Sequence, residues 1–133
     1  MHKYVTIDDV CKMIELLPDE KQNPISDDGD CVYTNEDGDH CIAGEIIRMF
    51  GYDLPDFDDF QNTVPVGELI DNLYANDFDD EAVEMLYVGQ KVADRLTHAD
   101  DPLAWAMAKR DMVLFFNRSR KEEIAQRRLQ AGH

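Results

Sequence analysis

Between Pro102 and Gly132 the chain contains neither proline nor glycine, and this run constrains the fold more than any other feature. Asp101 followed by Pro102 is a strong helix start. An aspartate N-cap accepts a free backbone amide, and proline lacks the amide that would go unpaired at the first position. A helix filling the run has up to about 29 residues and measures roughly 43 Å at about 1.5 Å per residue. A chain of 133 residues has room for one domain with a real core. Such a rod must therefore brace the body or project from it.

The two halves of the run differ. Leu103, Trp105, Ala106, Met107, Val113, Leu114 and Phe116 mark the first half as a core helix. Beyond Phe116 the large apolar residues are Ile124 and Leu129, set among Arg118, Arg120, Lys121, Arg127 and Arg128. We expect a globular α-rich domain over residues 1–116 and a basic extension of the last helix over 117–133. That extension projects, frays or docks on a partner.

Four shorter helices precede it. Thr6 caps the first, with Asp9 completing a weak capping box, and Val10, Ile14 and Leu17 share its buried face. Cys31–Thr34 has strand composition. Asn35–Gly38 is a turn in which Gly38 takes positive φ, and any returning strand over Asp39–Cys41 is very short. Such a hairpin is marginal alone and must lie on helices. Ile42, Ile46, Met49 and Phe50 then fit a helix capped by Asp39 and ended by Gly51. In residues 52–62, Tyr52, Leu54, Phe57 and Phe60 should pack inward while the acids stay wet. Pro65 starts a third helix with Val66, Leu69, Ile70 and Leu73 inward. Asp79 or Asp80 caps a fourth, running to about Leu96, in which Gly89 permits close helix approach. The expected fold is mainly α: about five helices around a short β-hairpin, with a core including Tyr33, Leu86, Val92, Trp105 and Val113.

Charge is the dominant bulk property. The net charge is −16. Residues 1–108 carry 6 basic and 26 acidic side chains, a balance of −20, and residues 109–133 carry 7 and 3, a balance of +4. Such a field repels nucleic acid and membrane surfaces and attracts basic partners. The charge also serves solubility. No apolar run approaches the roughly 18–20 residues of a membrane span, and the first residues lack the apolar core of a signal peptide. Three cysteines are too few for a disulfide scaffold, which points to the cytoplasm.

Catalytic patterns are sparse. Setting Gly38 or Gly29 at the sixth position of a calcium loop puts the wrong residues at its ends, leaving only a looser cation site among Asp27, Asp28, Asp30, Asp37 and Asp39. Cys31, His40 and Cys41 could supply metal ligands, but their spacing matches no strong zinc pattern. Cys41 near a helix N-terminus is where a thiolate would gain from the dipole, which makes it the candidate nucleophile or redox group. Neither serine sits in a nucleophile motif, and there is no phosphate-binding or dinucleotide fingerprint. No cofactor is expected.

The stretch from Cys31 to Leu54 carries Cys-x-Tyr, a glycine-containing turn, then Cys-Ile-x-Gly, a helix and a closing glycine. It resembles a pattern in small proteins of actinobacteria and their phages. The later stretch with Gln90, Asp94, Trp105 and Ala108 is similar to a second segment of those proteins, with Thr97–Pro102 inserted before the tryptophan. The resemblance spans roughly residues 31–110 and implies a phage or actinobacterial setting, with no catalytic residues to transfer.

The leading functional expectation is a small acidic phage-type protein, in the host cytoplasm, that binds and modulates a host protein with a basic nucleic-acid-binding surface. It would not contact nucleic acid or membrane itself. Its binding surface, in the version that mimics nucleic acid, would be Asp53, Asp56, Asp58, Asp59, Asp79, Asp80, Glu81 and Glu84. The alternatives are an enzyme or redox protein centred on Cys41 and a homo-oligomeric structural component joined through the C-terminal helix.

Overall fold

A computed structural model describes residues 4–25, 32–35, 37–55, 62, 64–74 and 77–131. Five helices follow in order: α1 (Ile7–Ile14), α2 (Ile42–Met49), α3 (Val66–Leu73), α4 (Asp80–His98) and α5 (Ala104–Ala131). α4 and α5 form an antiparallel pair, with α1, α2 and α3 packed on α4 and α1 also reaching α5. Buried apolar side chains from all five helices form one continuous core.

The local signals explain how the helices start and stop. The Thr6–Asp9 capping box is present: the Asp9 amide donates to Thr6 Oγ1 at 3.3 Å and the Thr6 amide donates to Asp9 Oδ2 at 3.0 Å. Gly51 ends α2 at φ +94° and Gly38 turns at φ +83°. The Asp101 carboxylate accepts the Leu103 amide at 2.9 Å, one turn ahead of α5. The junction between α4 and α5 uses Asp100 at φ 55°, a left-handed value that aspartate tolerates better than most residues.

No strand is present among the described residues, which corrects the expected hairpin. A single antiparallel bridge joins Thr34 and His40. The reason is local. Asn35 Oδ1 accepts the amides of Asp37 at 3.0 Å and Asp39 at 2.9 Å, which removes donors that a returning strand would use. On the other side, Thr34 exchanges its amide and carbonyl with the Asn62 carboxamide at 2.9 and 2.8 Å. A second isolated bridge, parallel, ties Val5 to Phe78 and fixes the N-terminal segment beside the start of α4.

Several packing expectations also change. Trp105, Ala108 and Met112 put one face of α5 in the core. Val113 and Leu114 lie on its other side and are exposed, as are Leu103 and Leu73. Phe50 and Val92 are half-buried against the core. Tyr52 is buried and Leu54 half-buried as expected, whereas Phe57 and Phe60 lie outside the described residues. Gly89 does serve close approach: a Cβ there would stand 2.3 Å from Met112 Sδ. The basic half of α5 from Arg120 to Ala131 is exposed except for half-buried Glu123.

Candidate functional site

The most organised polar cluster joins the Asn23 loop, α2, α4 and α5. Asn23 is 4% exposed. Its amide donates to Thr97 Oγ1 at 2.9 Å and its side-chain nitrogen to Asp94 Oδ1 at 2.5 Å. Its carboxamide oxygen accepts from the Ile42 amide at 3.0 Å and the Trp105 indole at 2.8 Å. Gln90 accepts the Ala43 amide at 3.1 Å and donates to Asp94 Oδ1 at 3.1 Å.

A helix start leaves four backbone amides without helical partners. In α2 the side chains of Asn23, Gln90 and Cys41 take the amides of Ile42, Ala43 and Gly44, and the Glu45 amide donates to the Cys41 carbonyl. The positive end of α2 is thus filled by the protein itself. Every buried side-chain nitrogen and oxygen among the described residues has a partner. The cluster locks four elements together, and its Gln90 and Asp94 also line the cleft beside α3.

Cys41, not Asp39, is the N-cap of α2, and its Sγ accepts the Gly44 amide at 3.2 Å. The side chain is fully buried, and burial pushes the thiol up to about 12, outweighing the amide hydrogen bonds that favour the thiolate. That direction is opposite to the activation expected of a nucleophile at a helix terminus. His40 points elsewhere, its Nδ1 lying 3.2 Å from Thr34 Oγ1. Among the described residues no group of three or more metal-ligating side chains is gathered. Cys31 lies outside them, as do Asp27, Asp28 and Asp30, while Asp37 and Asp39 are exposed.

The acidic candidates divide. Asp56, Asp58 and Asp59 fall outside the described residues. Asp53 is exposed, Asp79 half-buried, and Asp80, Glu81 and Glu84 exposed on the first turns of α4. Rings of Tyr52, Tyr74 and Phe78 bring these two groups to one side of the molecule. The Tyr52 and Phe78 centroids are 5.3 Å apart, so Asp53 and Asp79 each follow a member of one aromatic cluster. The Tyr74 hydroxyl donates to the Asp53 carbonyl. Burial pushes that phenol up to about 12, so it stays a donor through the neutral range.

Beyond Asp80, α4 and the second half of α5 enclose a groove of about 420 Å³. Glu81, Glu84, Glu122 and Glu123 surround it, with Phe115, Arg118 and Ser119 on its wall. The Ser119 hydroxyl donates to the Glu81 carboxylate. Glu122 and Glu123 lie about forty residues beyond Glu81 and Glu84 in sequence, and the antiparallel register of α4 and α5 brings the two pairs opposite each other. A second cleft of about 270 Å³, between α4 and the segment entering α3, is lined mainly by valines, Tyr33, Tyr87, Lys91 and Asp94.

No protein-family model matches the chain, and no curated protein or solved structure matches it either. Among the described residues no helix is long and apolar enough to cross a membrane.

Proposed function

We propose that this chain is a non-enzymatic acidic binding protein, of phage type, that engages a basic nucleic-acid-binding protein of its host through the start of α4. One observation carries the reading. Asp80, Glu81 and Glu84 stand exposed on successive turns of a rigid helix, beside a groove rimmed by two further glutamates. Carboxylates spaced along a helix present a row of negative charge, and a basic groove built to hold phosphates would meet it as it meets a nucleic-acid backbone. The net charge of −16 steers such a partner from a distance. The inward chemistry gives little support to the cysteine-centred alternative, because the Cys41 thiol is buried and held protonated.

The test is capture from an actinobacterial host lysate at low salt, with the wild-type chain and with Asp79→Asn, Asp80→Asn, Glu81→Gln and Glu84→Gln combined. The wild type should retain a basic nucleic-acid-binding protein that elutes with salt, and the neutralised chain should not. Failure of the wild type to retain any basic partner, or equal retention by both chains, would remove the proposal.

A further inference from the structure

The cleft of about 270 Å³ beside α3 lies between two unlike walls. One is formed by Tyr87, Gln90, Lys91 and Asp94, whose spacing puts all four on one face of α4. Gln90 is buried and Asp94 half-buried, while Lys91 and Tyr87 are exposed, so the acid lies deeper on this wall and the cation at its rim. The other wall is apolar, with Val32 and Val66 buried and Val64 half-buried. Both are held by the protein's own hydrogen bonds. The Tyr33 hydroxyl donates to the Val64 carbonyl at 2.5 Å, and Asn23 and Gln90 donate to Asp94 Oδ1.

The charges limit what can enter. Lys91 and Asp94 stand three residues apart on the same face, and the ion pairs among the described residues join other side chains. The Lys91 ammonium lies 6.0 Å from the Tyr87 ring centroid. The Asp94 charge is felt within the cleft: burial first, and then the charges of Cys41, Asp94 and Glu68, push the Tyr33 phenol up. A ligand that is only an anion meets Asp94 and the net charge of −16, and one that is only a cation meets Lys91. A molecule carrying both charges answers both. Side chains three apart on a helix start about 5–6 Å from each other, so the two charges of the ligand must also be close.

We propose that this cleft binds a free α-amino acid with an apolar side chain, its ammonium on Asp94, its carboxylate on Lys91 and its side chain against Val32, Val64 and Val66. The ammonium and carboxylate of such a ligand share one carbon, which matches the spacing of Lys91 and Asp94. A carboxylate has about four acceptor positions, so Asp94 can take the ammonium while it holds Asn23 and Gln90. The volume stands at the small end of the roughly 300–1,000 Å³ of ligand pockets, which suits a metabolite of this size. The inference is separate from the proposed host partner, which would engage the first turns of α4.

Amide NMR shifts of the purified full chain test it, with L-leucine, leucinamide and N-acetyl-leucine as probes. L-Leucine should shift the residues of the cleft saturably with a dissociation constant of about 1 mM or below, and leucinamide and N-acetyl-leucine should each bind at least about tenfold more weakly. Lys91→Gln changes an exposed side chain, and the same spectra report whether the fold is kept. It should weaken L-leucine about tenfold and leave leucinamide no weaker, because that probe offers Lys91 no carboxylate. Absence of a saturable shift with L-leucine, equal affinity for N-acetyl-leucine, or a Lys91→Gln chain that binds L-leucine as tightly as the wild type would overturn the proposal. Because no host protein is present, this outcome is separate from that of the capture experiment.

Discussion

Replacing Asn23 by alanine breaks three hydrogen bonds with a single change. The lost carboxamide accepts from the Ile42 amide at 3.0 Å and the Trp105 indole at 2.8 Å, and donates to Asp94 at 2.5 Å. Ile42 and Trp105 are fully buried. Alanine therefore leaves two donors without partners, and at about 1–3 kcal/mol each the cost is roughly 2–6 kcal/mol. A water entering the vacated space, which is lined by polar groups, would return part of that. We expect a net loss of about 3 kcal/mol, a large share of the roughly 5–15 kcal/mol of a typical domain. In a urea titration with an m value of roughly 2 kcal/mol/M, the midpoint should fall by about 1.5 M with m unchanged. Asn23→Asp keeps the acceptor oxygen but sets a second carboxylate against Asp94, so its penalty should shrink in acid, where one of the pair is protonated. A loss below about 0.5 kcal/mol for Asn23→Ala, the scale of an ordinary surface change, would refute the assignment of this residue as the hub.

Three further predictions follow from the packing and the buried acids. Gly89→Ala should destabilise by about 1 kcal/mol, because crowding worth about 1–3 kcal/mol exceeds the gain in helix preference of about 1 kcal/mol. The crowded atoms are Met112 Sδ and Cγ, so in a Met112→Ala background the same change should raise the melting temperature. Stability should fall as pH rises above about 9, because Cys41, Tyr33 and Tyr74 all hold their protons to higher pH when folded. The unfolded chain ionises first, the Cys41 thiol at its ordinary value of 9.0, so the folded state binds more protons and loses up to about 1.4 kcal/mol per pH unit for each such group. Cys41→Ser keeps a side-chain cap without a titrating thiol and should flatten the first part of that fall; urea midpoints across the alkaline range would show it. Iodoacetamide at neutral pH should leave Cys41 unlabelled in the folded chain and label it in urea, as read by peptide mass. Rapid labelling in the folded state would contradict the burial of the thiol.

The features legible in the sequence are those decided within a few residues. The Thr6–Asp9 box, the turn at Gly38 and the stop at Gly51 each depend on a side chain or a φ value set locally. The hairpin was misread because Cys31–Thr34 has strand composition, while the outcome turned on the Asn35 and Asn62 side chains capturing its backbone groups. The cap of α2 moved from Asp39 to Cys41 because the helix begins at Ile42, which puts the Cys41 side chain in reach of the Gly44 amide. Apolar composition marked the first half of α5 as a core helix but did not separate its faces, so Val113 and Leu114 were placed inside, whereas Phe115 and Phe116 just beyond them pack against the core. The Asn23 cluster was the least legible. Its partners lie 71 and 82 residues away at Asp94 and Trp105, and Asn23 itself sits in a polar stretch that reads as ordinary loop. Of the site residues, the α4 acids were found by charge alone, whereas Glu122 and Glu123 needed the helix register.

If the start of α4 takes the place of nucleic acid on a basic partner, as proposed, this chain and DNA must compete for the same surface. The most direct measurement is a competition titration, in which duplex DNA labelled with a fluorophore is bound to the captured partner and this chain is added at low salt. The wild-type chain should displace the DNA to completion, the chain neutralised at Asp79, Asp80, Glu81 and Glu84 should do so far more weakly, and displacement should weaken as salt rises. A ternary complex in which DNA and this chain bind together, or displacement that survives neutralisation of those four acids, would contradict the proposal.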